Sequence, residues 1–152
     1  MGAMYQAKGD QTLTTSLTSA LTVGSNASTA QRNIIYRFVG SITLTPSDSQ
    51  ITWTAQRCSA LGTSTAVTPG LMDPGDRAAQ AAIGKNHTAE PTYTANATVF
   101  DTVFLNARAT YTWNAFPGER LTHAATVGAG IGWQALHASR TEDFAVSAWW
   151  DE

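Results

Sequence analysis

The three histidines, His87, His123 and His137, are the side chains best suited to acid–base chemistry near neutral pH. None lies at a spacing from another histidine or a carboxylate that matches a metal-binding or nucleophile motif. His87 precedes Glu90 by three residues, and on a loop we expect this pair to form a surface hydrogen bond. We expect His137 to be a hydrogen-bonded histidine at the edge of the core. The sequence therefore predicts no catalytic residue.

Metal and cofactor sites are not indicated either. Asp73 and Asp76 lack the spaced oxygen ligands of a calcium loop, and capping of a helix accounts for both. The glycines of GAGIG, residues 128–132, do not have the spacing of a dinucleotide-binding fingerprint. Cys58 is the only cysteine, which excludes an intrachain disulfide and every motif built on a cysteine pair. The sequence predicts no metal and no cofactor, and a small buried side chain at Cys58.

The composition favours a weakly charged surface. Charged residues make up 13% of the 152 residues, about half the usual share, and the net charge is -2. The nine Lys and Arg residues are scattered, which argues against a nucleic-acid partner. No apolar run approaches the roughly 20 residues that span a bilayer, and no signal peptide is recognisable, so we expect a soluble chain without a membrane partner. A weakly charged surface favours self-association or assembly with other proteins.

The length predicts one domain over residues 1–152. We expect residues 1–3 to be a remnant of an expression tag or disordered, because a second methionine, Met4, begins the first predicted strand.

Alternation of Thr and Ser with larger apolar residues predicts half-buried β-strands. The clearest example is residues 50–59, where Ile51, Trp53 and Ala55 would share the side that faces the core. Residues 12–23 fit either a helix or a strand by periodicity. Their Thr and Ser spacers disfavour a helix and indicate a strand.

Residues 33–44 have apolar side chains on both faces, which predicts a central strand covered on both sides. Alternation places Ile34, Tyr36 and Phe38 on one face and Ile35 and Val39 on the other.

Further strands are expected near Tyr5 and in residues 92–105, 108–116, 127–138 and 144–150. In residues 92–105, Asp101 lies on an apolar face, and if buried it needs a partner such as Arg108. Pro117 and Gly118 predict a turn. About eight strands in total predict an all-β domain, a β-sandwich of the jelly-roll type with two facing sheets.

One short helix is expected in residues 73–83. Asp73 would be its N-cap, Pro74 would occupy the first helical position, and Gly84 would end it.

Five residues are candidates for an interface: Gly128, Gly130, Gly132, Trp149 and Trp150. The three glycines share one face of the expected strand at 127–138, where another backbone or an aromatic ring can approach, within the monomer or across a subunit boundary. The adjacent tryptophans point to opposite faces of a strand. Either the terminal strand is covered on both sides within the monomer, or at least one ring contacts a subunit or stacks on a sugar.

Several segments together carry a resemblance to a known class of proteins. They are MYQAKGDQT at the start, LMDPGDRAAQAA followed by NHTAEPTYT, then FLNARATYTWNAFPGERL and VGAGIGW. This order of motifs resembles small proteins of tailed bacteriophages that look like capsid decoration, or cement, proteins with a jelly-roll β-sandwich.

The resemblance implies a non-enzymatic structural protein on the exterior of the virion. It would contact the major capsid protein, stabilise the capsid and form a homo-oligomer, most simply a homotrimer at the threefold points of the lattice. The main alternative is a carbohydrate-binding jelly-roll module of a phage fibre or a bacterial surface protein. A third is an enzyme with unrecognised chemistry.

Overall fold

The computed structural model describes residues 2–93 and 99–152, and within them the regular elements are all β-strands. The strands are β1 (Met4–Thr12), β2 (Thr18–Gly24), β3 (Ile34–Ile42), β4 (Gln50–Ala60), β5 (Thr63–Ala66), β6 (Gly70–Leu71), β7 (Ala82–Ala89), β8 (Thr92–Tyr93), β9 (Val99–Asn106), β10 (Tyr111–Asn114), β11 (Leu121–Thr122), β12 (Gly130–His137) and β13 (Asp143–Asp151). Met1 lies outside the described residues, and Ala3 accepts a hydrogen bond from the backbone of Glu152. The prediction of an all-β fold is confirmed.

The strands form two antiparallel sheets packed as a sandwich. Sheet 1 has the order β10-β3-β13-β1-β6, and β11 also pairs with β3. Sheet 2 has the order β5-β7-β2-β12-β4, and β8 and β9 both pair with β4.

Eight of these strands have the jelly-roll order. Along the chain, β1 to β4 alternate between the two sheets, and β9, β10, β12 and β13 do the same. Their neighbours are β1-β13-β3-β10 in sheet 1 and β2-β12-β4-β9 in sheet 2, as in two Greek keys. The sequence predicts about eight strands, whereas the described residues form thirteen, so the predicted count is too low; the eight predicted strands correspond to this set. Strands β5 to β8, of which only β7 is long, are a further insertion between β4 and β9, which the sequence did not indicate.

The core lies between the sheets and is rich in aromatic rings. In β4, Ile51, Trp53 and Ala55 are at most 1% exposed, which confirms the face predicted from alternation. The Trp53 ring contacts the rings of Tyr111 and Phe144.

Strand β3 lies inside sheet 1, as predicted, but alternation assigns its faces wrongly. A register shift opposite Trp149 and Trp150 adds one residue, Tyr36, to β3. Ile35 and Phe38, predicted on opposite faces, are therefore both completely buried. The outer face of β3 is only partly covered, so the prediction of a strand buried on both sides is also wrong.

Residues 12–23 do not form a helix, in agreement with the preference for a strand. The strand is shorter than the pattern, because residues 13–17 connect the two sheets and β2 starts at Thr18.

The helix expected in residues 73–83 is absent. Asp73 instead caps a single turn, in which its carboxylate accepts a hydrogen bond from the Gly75 backbone at 2.8 Å. The Asp76 N–H donates to the Asp73 carbonyl at 3.1 Å, and no helix continues from this turn. Asp73 does cap the backbone that follows it, but it caps one turn of a loop and does not begin a helix.

Distant parts of the chain bind the backbone that would have formed this helix. The Tyr5 hydroxyl donates to the Arg77 carbonyl at 3.0 Å. The Glu152 carboxylate accepts hydrogen bonds from the N–H groups of Gln80 and Ala81 at 2.8 and 2.9 Å. These tertiary bonds outweigh the modest helix propensity of the Ala-rich segment.

The later segments that were predicted as strands contain strands, with different bounds. The strand expected at 92–105 contains β8 and most of β9, and its residues 94–98 lie outside the described part of the chain. The predicted turn is present, because the Glu119 N–H donates to the Phe116 carbonyl at 2.9 Å and Gly118 has a φ of 92°.

Candidate functional site

The densest polar cluster surrounds Ser19 in β2. Glu90 accepts hydrogen bonds from the Ser19 N–H at 3.1 Å and from its hydroxyl at 2.5 Å. The Tyr93 hydroxyl lies 2.7 Å from the Ser19 hydroxyl, and His87 Nδ1 lies 3.0 Å from the Ser19 carbonyl oxygen. A register shift between β2 and β12 adjoins Ser19, so its backbone groups are available to these partners. These hydrogen bonds hold the segment between β7 and β8 against β2 of sheet 2.

His87 belongs to this cluster as a structural donor. Because a carbonyl only accepts, Nδ1 carries the hydrogen and donates to Ser19, while Nε2 accepts from the Thr22 hydroxyl at 3.3 Å. Burial lowers the pKa of His87 and keeps the ring neutral. The expected surface hydrogen bond with Glu90 is not formed, since both side chains bind Ser19. Thr22 is completely buried, so this hydroxyl is not open to a substrate.

His137 and Ser49 form a pair that the sequence did not predict. Ser49 Oγ lies 2.6 Å from His137 Nε2, as in a nucleophile and its base. The Ser139 N–H donates to Nδ1 at 3.1 Å, so Nε2 carries the hydrogen of the neutral ring. Ser49 therefore accepts from the ring and in turn contacts the Ser47 hydroxyl. In this tautomer His137 cannot remove a proton from Ser49, and the pair is structural.

His123 lies beside a cavity of about 260 Å³ that Cys58 also lines. His123 donates from Nδ1 to the Ala124 carbonyl at 2.8 Å and accepts at Nε2 from the Asn33 N–H at 3.3 Å. Burial lowers the pKa of His123. Burial also raises the pKa of the Cys58 thiol to about 12, so this thiol stays protonated and weakly nucleophilic at neutral pH.

Asp101 also has a structural partner. The Tyr111 hydroxyl donates to Asp101 at 2.8 Å, and Arg108, the partner expected from the sequence, is exposed. Burial, and then this hydrogen bond, raise the pKa of Tyr111. Within residues 2–93 and 99–152, no three His, Cys, Asp or Glu side chains come together as a metal site requires.

The glycine face of β12 is covered by the same chain. A Cβ added to Gly130 would lie 2.5 Å from a Leu61 methyl carbon, and one added to Gly132 would overlap the Tyr93 hydroxyl. Gly128 precedes the strand, with a φ of 77° in a turn. The sequence left open whether a group approaches this face within the monomer or across a subunit boundary. At Gly130 and Gly132 the approach is within the monomer.

The two terminal tryptophans point to opposite faces of sheet 1, as predicted. Trp150 is completely buried, stacks on Tyr5 with ring centroids 5.9 Å apart, and donates from its indole nitrogen to Glu152. Trp149 is partly exposed on the outer face, where the Arg37 guanidinium lies 4.7 Å from its ring centroid. Trp149, and not Trp150, is thus available to a partner.

A row of polar side chains crosses the outer face of sheet 1 on both sides of Trp149. The strand register pairs Asn114 with Arg37, Arg37 with Trp149, and Trp149 with Gln6. Lys8 lies on the same face in the next row. We call these five residues the Trp149 face. Apart from the contact between Arg37 and Trp149, none of its side chains hydrogen-bonds or pairs with another described residue.

Strand β9 has a free edge in the described part of the chain. It pairs with β4 on one side, and no described strand pairs with the other. Its single charged side chain, Asp101, is bound by Tyr111, and Phe104 is 62% exposed. A register shift at the start of β9 leaves residues 101–106 in regular pairing. Unpaired N–H and C=O groups on such an edge can accept another strand.

No protein-family model, curated protein or solved structure matches this chain significantly. In the part of the chain described here, no helix is long and apolar enough to span a membrane.

Proposed function

We propose that this chain is a non-enzymatic structural protein of a virion, which self-associates and stabilises a tailed-phage capsid from its exterior. The observation that carries self-association is the free edge of β9 with its exposed Phe104. The capsid, its major capsid protein as partner, and threefold symmetry follow from the sequence resemblance.

The edge of β9 lacks the usual protection against pairing. Monomeric proteins protect long edges with outward lysines, prolines or pronounced bulges. The regular part of β9 contains no lysine or proline, and its one carboxylate, Asp101, is turned to Tyr111. A second strand could add main-chain hydrogen bonds along this edge and bury Phe104 at the same time.

The symmetry depends on which edge receives β9. Pairing of β9 with β9 across a twofold axis gives a dimer, whereas pairing with a different edge of the next subunit can close a ring. A ring of three matches the threefold points of a capsid lattice, and three identical contacts multiply a weak individual affinity. We therefore favour the trimer.

The three histidines support the non-enzymatic part of the proposal. His87, His123 and His137 each use both ring nitrogens in hydrogen bonds within the chain. A general base needs one ring nitrogen free to take the proton of a substrate or nucleophile.

Light scattering after size exclusion at micromolar concentration tests the self-association. We expect about 48 kDa for the trimer, three times the 16.1 kDa of one chain. Phe104→Lys should shift the mass toward one chain, because it places a charge on the pairing edge. The matched control is Phe116→Lys, at a side chain that is 73% exposed in a turn away from β9. A wild-type monomer, or equal dissociation by both variants, would contradict the proposal.

Co-sedimentation tests the capsid partner. The major capsid protein encoded nearest to this chain, assembled into shells, should retain the wild-type chain saturably after pelleting. Loss of retention for Phe104→Lys but not for Phe116→Lys would link capsid binding to the oligomer. Failure of every nearby capsid protein to retain the chain would count against a decoration role.

A further inference from the structure

We propose that the Trp149 face binds an acidic sugar, a pyranose ring that carries a carboxylate, as a unit of a polysaccharide. This inference does not rest on the capsid proposal, because it concerns the outer face of sheet 1 and not the edge of β9. It gives a concrete site to the carbohydrate-binding alternative that the sequence left open.

The hydrogen-bonding capacity of this face is unused. Gln6, Lys8, Arg37 and Asn114 form no hydrogen bond or ion pair with another described side chain. The polar groups around Ser19 and His137, in contrast, are bonded to each other and to the backbone. Side chains that do not hold the fold together remain free to bind a ligand.

The arrangement of the row suits a sugar ring. Planar amide and guanidinium groups on neighbouring strands flank an indole, with about 4.8 Å between strands. Amide and guanidinium groups can bond two adjacent hydroxyls or a carboxylate at once. The part of the Trp149 indole that Arg37 leaves uncovered offers an apolar surface to the C–H face of a pyranose.

The charges of the face favour an acidic sugar over a neutral one. Arg37 and Lys8 are both cationic, and the adjoining rows of this face add one carboxylate that is not ion-paired, that of Asp151, so the cations outnumber it. The only ion pair among the described residues joins Lys85 to Asp10. Because Arg37 already lies against Trp149, a carboxylate held by its guanidinium comes close to the exposed part of the indole.

Titration with a defined oligosaccharide tests this inference. The probes are a trimer of galacturonic acid and a neutral galactose trimer of the same length, followed by calorimetry on the wild-type chain. We expect binding of the acidic trimer with at least about tenfold preference over the neutral trimer, weakening as salt is raised. No binding of the acidic trimer at millimolar concentration, or equal binding of the two trimers, would overturn the proposal.

Three variants locate the site. Trp149→Ala should weaken binding of the acidic trimer at least about tenfold, and Arg37→Gln should remove most of the preference for it. The control Leu44→Ala, at an exposed side chain beyond the C-terminal end of β3 and seven residues from Arg37, should bind like the wild type. Unchanged binding by Trp149→Ala would place the sugar elsewhere and overturn the assignment.

The same variants exclude a second copy as the occupant of this face. If the face binds sugar, Trp149→Ala leaves the mass measured by light scattering unchanged. A mass that falls with Trp149→Ala while sugar binding is absent would assign the face to a subunit contact and overturn the sugar proposal. If the capsid proposal fails, light scattering gives the mass of a monomer or capsid shells do not retain the chain. Neither result affects the sugar titration, so the two proposals can fail separately.

Discussion

The hydroxyl of Tyr93 occupies the space where a side chain at Gly132 would begin. The same hydroxyl is bonded to Ser19, so it cannot withdraw without breaking that contact. The glycine face of β12 thus receives a segment of the same chain, and the insertion between β4 and β9 is tied to sheet 2 through it.

Gly132→Ala should therefore destabilise the fold by about 1–3 kcal/mol, because the added methyl group forces Tyr93 out of place. The measurement is the free energy of unfolding in urea. Gly70→Ala is the matched control, since the nearest atom to its added Cβ would be 3.7 Å away. Equal stabilities for the two variants would contradict the role of this close contact.

Glu90→Gln should cost about 1–2 kcal/mol, because an amide cannot accept both of the hydrogen bonds that the Glu90 carboxylate accepts from Ser19. Glu119→Gln is the control, because Glu119 accepts only a 3.3 Å hydrogen bond in an exposed turn. Chemical denaturation at neutral pH compares the two. A loss no larger for Glu90→Gln than for Glu119→Gln would show that the Ser19 cluster does not stabilise the fold.

Stability should fall with acidification. Burial lowers the pKa of His87 and of His123 below 6.5 in the folded chain, so the unfolded chain takes up more protons as the pH falls below that value. The stabilisation is complete above pH 6.5 and is lost as the pH falls toward the lowered pKa values. Urea unfolding at pH 7.5 and 5.5 measures the change, and the double variant His87→Gln, His123→Gln should have a smaller pH dependence. An undiminished dependence in that variant would remove these histidines as the cause.

Trp150→Ala should destabilise the monomer by about 3–5 kcal/mol, because the ring is completely buried against Tyr5. Trp149→Ala should cost about 1 kcal/mol or less, since its ring is partly exposed and its main contact is with exposed Arg37. Thermal unfolding distinguishes them. Similar losses for both would mean that Trp149 is as much a part of the core as Trp150.

Local alternation predicted part of this fold well. Ile51, Trp53 and Ala55 face the core because a regular strand repeats every two residues, and no distant contact alters that period in this part of β4. Where the register shifts, as at Tyr36, the period is broken and the pattern misleads. The helix expected at 73–83 failed for a related reason, because Tyr5 and Glu152 bind its backbone from far along the chain.

The candidate surfaces were less predictable than the strands. Trp149 was identified from the sequence, but its neighbours Gln6, Arg37 and Asn114 come from three other strands. Their meeting in one row depends on the jelly-roll order and on each strand register, neither of which a single sequence specifies. The exposure of Phe104 likewise depends on β9 lying at an edge, which only the topology determines.

Hydrogen–deuterium exchange in β9 tests the central claim of self-association most directly. Within residues 101–105, every second residue has backbone N–H and C=O groups that face away from β4 and have no strand partner among the described residues of one chain. We predict that their amides become protected as the protein concentration rises, because a second subunit pairs with the edge, and that Phe104→Lys abolishes this protection. If these amides exchange at the same rate at every protein concentration, and at the same rate in the wild type as in Phe104→Lys, the account is contradicted.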